Sequence, residues 1–204
     1  GAALGIPALT ATHVVLGSGP VEGKTVLISG GAGTVGRIAV QVAAASGARV
    51  IATAHGDKEF AAAESAGASV VLDYRSATLA ADVMAATNGA PVDHAVEVEF
   101  GNNIEMLAQV MAERGRIVTY GSALAMTPTL PFYPLLFKAI AIDFTLIYLL
   151  KADERRRAID NLTNLLTRGV LDFRISATIP LEDCAVAHET IEAGNRAGSV
   201  ILTM

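Results

Sequence analysis

The sequence predicts an α/β protein with a parallel, doubly wound sheet, and three observations carry that reading. From Thr25 to Arg168, short apolar, often β-branched runs alternate with longer segments whose apolar residues recur at helical spacing. The first run, Thr25 to Ile28, leads into a glycine-rich turn that opens at once into an alanine-rich helical segment. Hydrophobic residues make up 52% of the 204 and charged ones 17%. That composition excludes a disordered chain and suits a sheet covered on both faces.

In chain order, Ala8 to Leu16 reads as a helix and Gly17 to Gly23 as a Gly/Ser/Pro linker. Within that linker, Ser18 to Thr25 (SGPVEGKT) nearly matches a nucleoside-triphosphate loop, with Ser18 where the first glycine belongs. It precedes the strand instead of joining strand to helix, so it cannot offer N–H groups from a helix start. After the turn come a helix from Arg37 to Ser46, a strand from Arg49 to Ala54 and a helix from Asp57 to Ala66, with Asp57 a natural N-cap. Strand, helix and strand follow at Ser69 to Asp73, Ala77 to Thr87 and Val92 to Val98. Asn102 to Ala112 is helical and Gly115 to Tyr120 a strand. Ala139 to Leu149 adds a sixth, long apolar strand, Asp153 to Arg168 a charged amphipathic helix, and the stretch from Phe173 to Met204 a strand, a helix and a strand.

The net charge of −5 offers no general attraction to nucleic acid or anionic membrane. One cysteine, Cys184, rules out an internal disulfide framework and fits a reducing, cytoplasmic setting. The four histidines, His13, His55, His94 and His188, lie far apart without a second ligand at metal spacing, so no zinc site is expected. The stretch Leu130 to Leu150 is long enough to span a bilayer but carries Lys138 and Asp143 near its middle. Each would cost about 2.5–3.5 kcal/mol on insertion, so a core strand behind a turn is the better reading. The opening GAALGIPALTA has no basic leader and no initiating methionine and reads as a cut.

Chemistry concentrates at the glycine turn. Gly31, Gly33 and Gly36 fit G-x-G-x-x-G between strand and helix, the Rossmann arrangement in which helix-start N–H groups face a pyrophosphate and glycines let the backbone approach. The pattern alone also fits a tight strand-to-helix turn. The second strand bears on the coenzyme, because a site for NAD places an acid near its end to bond the ribose 2′-OH. Here the strand ends in Ala54, His55 and Gly56. Asp57 is the nearest acid and reads as a cap, while Lys58 is placed either to reach a 2′-phosphate or to sit solvated on the surface.

These pieces, taken together, resemble the nucleotide-binding part of the quinone oxidoreductases of the zeta-crystallin type, in the zinc-free medium-chain dehydrogenase/reductase superfamily. The matching segments are GIPALTATH, VLISGGAGTVG, VIATAHGDKEFAAAESAGASVVLDYR, RGRIVTYGS and IPLEDCAVAHETIEAGNRAGSVIL, and the resemblance covers essentially the whole chain. It implies that Lys58 and Tyr74 contact the 2′-phosphate of NADPH, that Thr34 and Val35 line the pyrophosphate, that Thr10 lies near the dinucleotide, and that Gly121 and Ser122 lie close to the nicotinamide. Without the resemblance, Tyr74 reads equally as a strand-end ring packed on its neighbour. Two departures stand out. Where the family has an apolar residue and two glycines, this chain has Glu99, Phe100 and Gly101, a phenyl ring placed either to narrow or to reshape the nicotinamide pocket. The family's C-terminal phosphate arginine aligns with Gly194, leaving Arg196 as a substitute.

The resemblance further implies hydride transfer to a quinone or other conjugated carbonyl, with an enoyl-thioester or alkenal reductase domain and a non-catalytic dinucleotide-binding module as alternatives. No Tyr-x-x-x-Lys pair points to a short-chain reductase, since Lys138 falls one position too late after Tyr133. The family's N-terminal catalytic domain, on the order of 100 residues, has no counterpart here. The expected division is therefore a dinucleotide-binding domain over 1–171 and, over 172–204, a segment of a split catalytic domain whose strands must find other partners or fray. No catalytic residue is expected within the chain. The long strand 139–149, at the expected sheet edge, is expected to pair with its copy in a homodimer.

Overall fold

A computed structural model describes residues 2–193 and 198–204. The chain forms α1 (Gly5–Leu16), β1 (Thr25–Ile28), α2 (Thr34–Ala45), β2 (Arg49–Ala54), α3 (Asp57–Ser65), β3 (Val70–Asp73), α4 (Leu79–Ala86) and β4 (Val92–Glu97). It continues through α5 (Phe100–Val110), β5 (Met111–Thr119), α6 (Phe132–Phe137), β6 (Ala141–Phe144), α7 (Ala152–Thr167), β7 (Ile175–Pro180), α8 (Cys184–Glu192) and β8 (Ser199–Thr203). The six strands β1 to β6 make one parallel sheet in the order β3-β2-β1-β4-β5-β6, the doubly wound α/β fold that the alternation predicts.

Helices cover both faces, which is why the central strands read as unbroken apolar runs. One core layer gathers Val14 and Val15 of α1, Val40 of α2 and Ile28 of β1. The other gathers Leu27, Ile51 and Ile117 of the sheet with Ile104 and Leu107 of α5. His94 is buried in β4, where its Nε2 bonds the Val14 carbonyl at 2.8 Å and burial lowers its pKa.

Three expectations change. The long strand 139–149 is only β6, four residues at the sheet edge. Ala139 adopts a positive φ of 49° as the chain leaves α6, and β6 ends at Phe144 opposite Thr119, the last residue of β5. With no further ladder to join, residues 147–149 wind into a 3₁₀ turn. Asp57 does not cap α3: Gly56 occupies the N-cap with a φ of 79°, and Asp57 is already the first helical residue. The C-terminal strands find each other, since β7 and β8 pair in parallel across α8 as a separate two-stranded sheet. No helix among the described residues is long and apolar enough to cross a membrane.

Candidate dinucleotide-binding site

The strand order reverses between β1 and β4, so the connections leaving their C-terminal ends diverge and open a crevice there. The glycine turn fills its floor. Gly30 takes the left-handed φ of 64° that redirects the chain out of β1. Its N–H donates to Thr53 Oγ1 at 3.2 Å, the Gly31 N–H to the Thr53 carbonyl at 2.8 Å, and the Ser29 N–H to the Val96 carbonyl at 2.9 Å. The turn is thereby tied to both neighbouring strands.

A Cβ on Gly36 would lie 2.1 Å from the Gly30 carbonyl oxygen, and one on Gly31 would lie 2.6 Å from the Ala52 Cβ. Only glycine lets α2 start this close to the sheet. Gly33 is the N-cap of α2, and the first bond into the helix runs from the Arg37 N–H to the Gly33 carbonyl at 2.8 Å. The N–H groups of Thr34 and Val35 precede that bond and have no helical carbonyl of their own.

Beside them opens a cleft of about 920 Å³, lined by Gly33, Thr34 and Arg37 on one side, His55 and Lys58 on a second, and Asp172 and Arg174 on a third. Arg37 is buried, and its guanidinium donates to the Asp172 carbonyl and carboxylate, both at 2.8 Å. Gln41 completes the clamp, donating to the Asp172 carbonyl at 3.1 Å and accepting the Asp172 N–H at 2.6 Å. Arg37 Nε is buried without a hydrogen-bond partner. First-turn N–H groups without helical carbonyls and a cradle that a Cβ on Gly31 or Gly36 would fill together suit a phosphate anion.

At the C-terminal end of β2 the structure supplies an acid that this strand itself lacks. Asp73 ends β3 opposite Ala54 of β2, and His55 Nδ1 lies 3.0 and 3.1 Å from its two carboxylate oxygens. The Arg75 N–H donates to the same carboxylate at 2.9 Å. Those two donors, the backbone one foremost, hold the Asp73 pKa below the usual carboxylate range. The Tyr74 ring stands 5.7 Å from the His55 ring, and the Arg75 guanidinium lies 5.9 Å from the Tyr74 ring.

The far end of the crevice lies beyond β4 and β5. A Cβ on Gly121 would meet the Val98 carbonyl oxygen at 2.6 Å. Ser122 Oγ accepts the Gly101 N–H at 2.9 Å and donates to the Ala125 carbonyl at 2.5 Å. Glu99 accepts the Ala123 and Leu124 N–H groups at 3.1 and 3.0 Å, fastening the loop after β5. Phe100 does not narrow this pocket. It is buried with Ile104, Leu107 and Leu135, its ring 5.6 Å from that of Phe144, because it starts α5 on the helix face that meets the sheet.

Behind the loop, Glu97 is 1% exposed, accepting the Glu99 N–H at 2.5 Å and the Asn103 amide at 3.0 Å. Burial pushes its pKa up. The Tyr120 phenol is pushed up as well, by burial first and by the Glu97 charge second.

Of the sequence-derived site residues, Gly31, Gly33, Thr34, Val35 and Gly36 form the turn and the start of α2 and Lys58 lines the cleft, while Gly121 and Ser122 stand beyond β5. Tyr74 flanks the cleft beside His55, and Thr10 is buried on α1 and does not line the cleft. Arg196 and Gly194 lie outside the described residues. Sequence reasoning missed Gly30, His55, Asp73, Arg37 and Glu97. Glu97 had a visible signal, an acid ending the otherwise apolar β4. The His55–Asp73 contact had none, because it depends on the register between β2 and β3. Among the described residues no group of three or more His, Cys, Asp or Glu side chains is gathered as a metal ion would need.

A glycine-turn crevice at the switch point of a doubly wound sheet defines the class, a nucleotide-binding α/β domain. Within that class, residues 34–164 match the zinc-binding dehydrogenase family, and the chain belongs to it. Bovine prostaglandin reductase 1 is 25% identical over 206 residues, covering 98% of this chain and 63% of the relative. A mycobacterial quinone oxidoreductase structure superposes with a TM-score of 0.90 at 27% identity, covering 100% of this chain and 63% of that one. A mycobacterial structure complexed with NADPH superposes with a TM-score of 0.85, also at 27% identity, covering 98% of this chain and 64% of that one. The chain thus spans a little under two thirds of these relatives.

Proposed function

We propose that this chain is the NADPH-binding part of an oxidoreductase that passes hydride to a quinone or other conjugated carbonyl. The observation that carries the reading is the crevice itself: a glycine-only cradle at the start of α2 opening onto a cleft with Lys58 on its wall. Likeness to a structure complexed with NADPH supports the coenzyme. In the bound state NADPH supplies the hydride. The first-turn N–H groups of α2 would hold its phosphates, Lys58 and Tyr74 would meet the 2′-phosphate, and Gly121 and Ser122 would border the nicotinamide.

Calorimetry on the wild type and Lys58→Ala tests the coenzyme reading. NADPH should bind more tightly than NADH, and loss of a charge-assisted contact should cost about 1.5–3 kcal/mol in NADPH affinity alone. An unchanged preference would remove Lys58 from the site. Hydride transfer needs the acceptor held about 3–3.5 Å from the reacting carbon, and this chain spans a little under two thirds of its relatives' length, so the 204-residue chain alone should bind coenzyme without appreciable quinone reduction. Measurable NADPH-dependent turnover by this chain would overturn that division. The bovine relative is by name a reductase of prostaglandin, which keeps an alkenal or enoyl-thioester acceptor as the second reading. A turnover panel of quinones, enals and enoyl thioesters on the full-length protein separates the two, and binding without any turnover would mark a non-catalytic module.

We also propose a two-fold dimer through β6. Phe137, Phe144, Tyr148 and Leu149 stand exposed on and beside this edge strand, whose free ladder is a ready template for pairing. Asp143 on β6 pairs with Arg116 of β5. Asp143→Lys should place like charges together and weaken the dimer, read by light scattering, and a wild-type monomer at high concentration would overturn the proposal.

A further inference from the structure

The pair His55–Asp73, with His55 on the cleft wall and Asp73 behind it, is a titratable cluster that the function above leaves unused. A carboxylate accepts hydrogen bonds and cannot donate them, so the proton between the two lies on His55 Nδ1. Both Asp73 oxygens are within reach of that single donor, and the Arg75 N–H takes one of them again at 2.9 Å. Meanwhile the His55 N–H occupies Glu59 Oε2 at 2.9 Å. Two of the acids around the end of β2 are therefore engaged by one residue, leaving Asp57 next to Lys58 on the cleft lining.

The position gives this arrangement its meaning. An acid at the end of the second strand is what a doubly wound domain uses to bond a ribose 2′-OH, and a cation nearby is what accommodates a 2′-phosphate. Asp73 reaches that corner from the neighbouring strand, because β3 pairs in register with β2 up to Ala54. We propose that the His55–Asp73 pair selects the coenzyme: His55 masks a carboxylate that, released, would accept a ribose 2′-OH and repel a 2′-phosphate. The proposal rests on the dinucleotide reading of the crevice and deepens it, since Lys58 would supply attraction while His55 keeps an opposing carboxylate engaged and turned from the ligand. The depressed pKa of Asp73 agrees, because a carboxylate that stays ionised carries its full charge to the ribose corner when unmasked.

The test is a double-mutant cycle on the whole chain, reading dissociation constants for NADPH and NADH and, as smaller probes, 2′,5′-ADP and 5′-AMP. His55→Ala should lower the preference for the 2′-phosphorylated member of each pair about tenfold. In an Asp73→Asn background the same change should move it less than about twofold, because no carboxylate remains to be released. His55→Asn, which keeps an N–H donor near the Nδ1 position, should retain most of the wild-type preference, and thermal melting of each variant reports whether the fold is kept. An equal loss in both backgrounds would overturn masking in favour of direct contact between the His55 ring and the phosphate. An unchanged preference in His55→Ala would overturn it outright. If the wild type bound neither dinucleotide, the dinucleotide reading would fall and this proposal with it. A wild type that binds NADPH tightly while His55→Ala shows no effect removes only the selector.

Discussion

On the β1 to β3 side of the crevice the backbone itself makes the wall, whereas on the β4 to β6 side carboxylate side chains hold a loop in place. Gly31 and Gly36 bring α2 within contact of the sheet, and their positions follow from steric limits that no other residue meets. Across the crevice, Glu97 and Glu99 accept four N–H bonds: Glu97 takes the Glu99 backbone and Asn103 amide donors, and Glu99 the Ala123 and Leu124 backbone donors. The first wall has a sequence signature because sterics restrict it to glycine. The second depends on which distant residues the fold brings together.

The largest effect should come from the backbone wall. Gly36→Ala places a methyl 2.1 Å from a carbonyl oxygen of the same turn, and backbone cannot swing aside as a flexible side chain does. Unfolding by denaturant should show a loss of about 3 kcal/mol together with loss of NADPH binding. A stable variant that binds coenzyme normally would mean the turn has slack that the structure does not show.

The side-chain wall should instead announce itself through pH. Burial raises the Glu97 pKa above its ordinary 4.5. Above that ordinary value the unfolded chain has released a proton that the native state still holds, so stability falls as pH rises, until the native carboxyl also ionises. Below it both states are protonated and the native environment exacts no such penalty. Glu97→Gln keeps the acceptor oxygen and cannot ionise. Its stability should therefore gain on the wild type by up to about 1.4 kcal/mol per pH unit from roughly pH 4.5 upward. A constant difference between the two across denaturation curves at several pH values would mean that Glu97 does not carry the shift.

Much of the fold was legible because strand, turn and helix each leave a local trace. The apolar runs of β1, β2 and β4, the glycines after β1 and the helical spacing of α2 and α7 all appear in the chain itself. The failures fall where a tertiary contact decides. The run from Ala139 to Leu149 looks like one strand, but its partner β5 stops at Thr119, so pairing stops at Phe144. Phe100 looks like a pocket residue by its place after β4, but the first turn of α5 aims it into the core. At the candidate site, Lys58 was visible as a cation at a helix start, whereas Asp73 meets His55 only through the β2–β3 register.

Glu99→Ala measures how separable the side-chain wall is from the rest. The Ala123 and Leu124 N–H groups would lose their acceptors but lie where water can replace them. Global stability should drop by about 1 kcal/mol. Hydrogen exchange at those two amides should accelerate, while the glycine turn stays protected. Faster exchange in both regions would show that the two walls are coupled, and the contrast between them would fail.

The smallest effect tests the border between the walls and the helix that carries Lys58. The sequence pattern makes Asp57 the cap of α3, yet Gly56 occupies that position and no side-chain cap bond is formed. As the first helical residue, Asp57 still interacts favourably with the N-terminal end of the helix dipole, worth about 0.3 kcal/mol at an exposed site. Removing a true cap would cost about 1 kcal/mol. Asp57→Ala should therefore shift the denaturation midpoint only slightly, and it should strengthen NADPH binding modestly by taking an acid away from Lys58. A loss near 1 kcal/mol would restore the capping role. It would also mean that α3 begins one residue later than the structure has it, with Lys58 turned to a different part of the cleft.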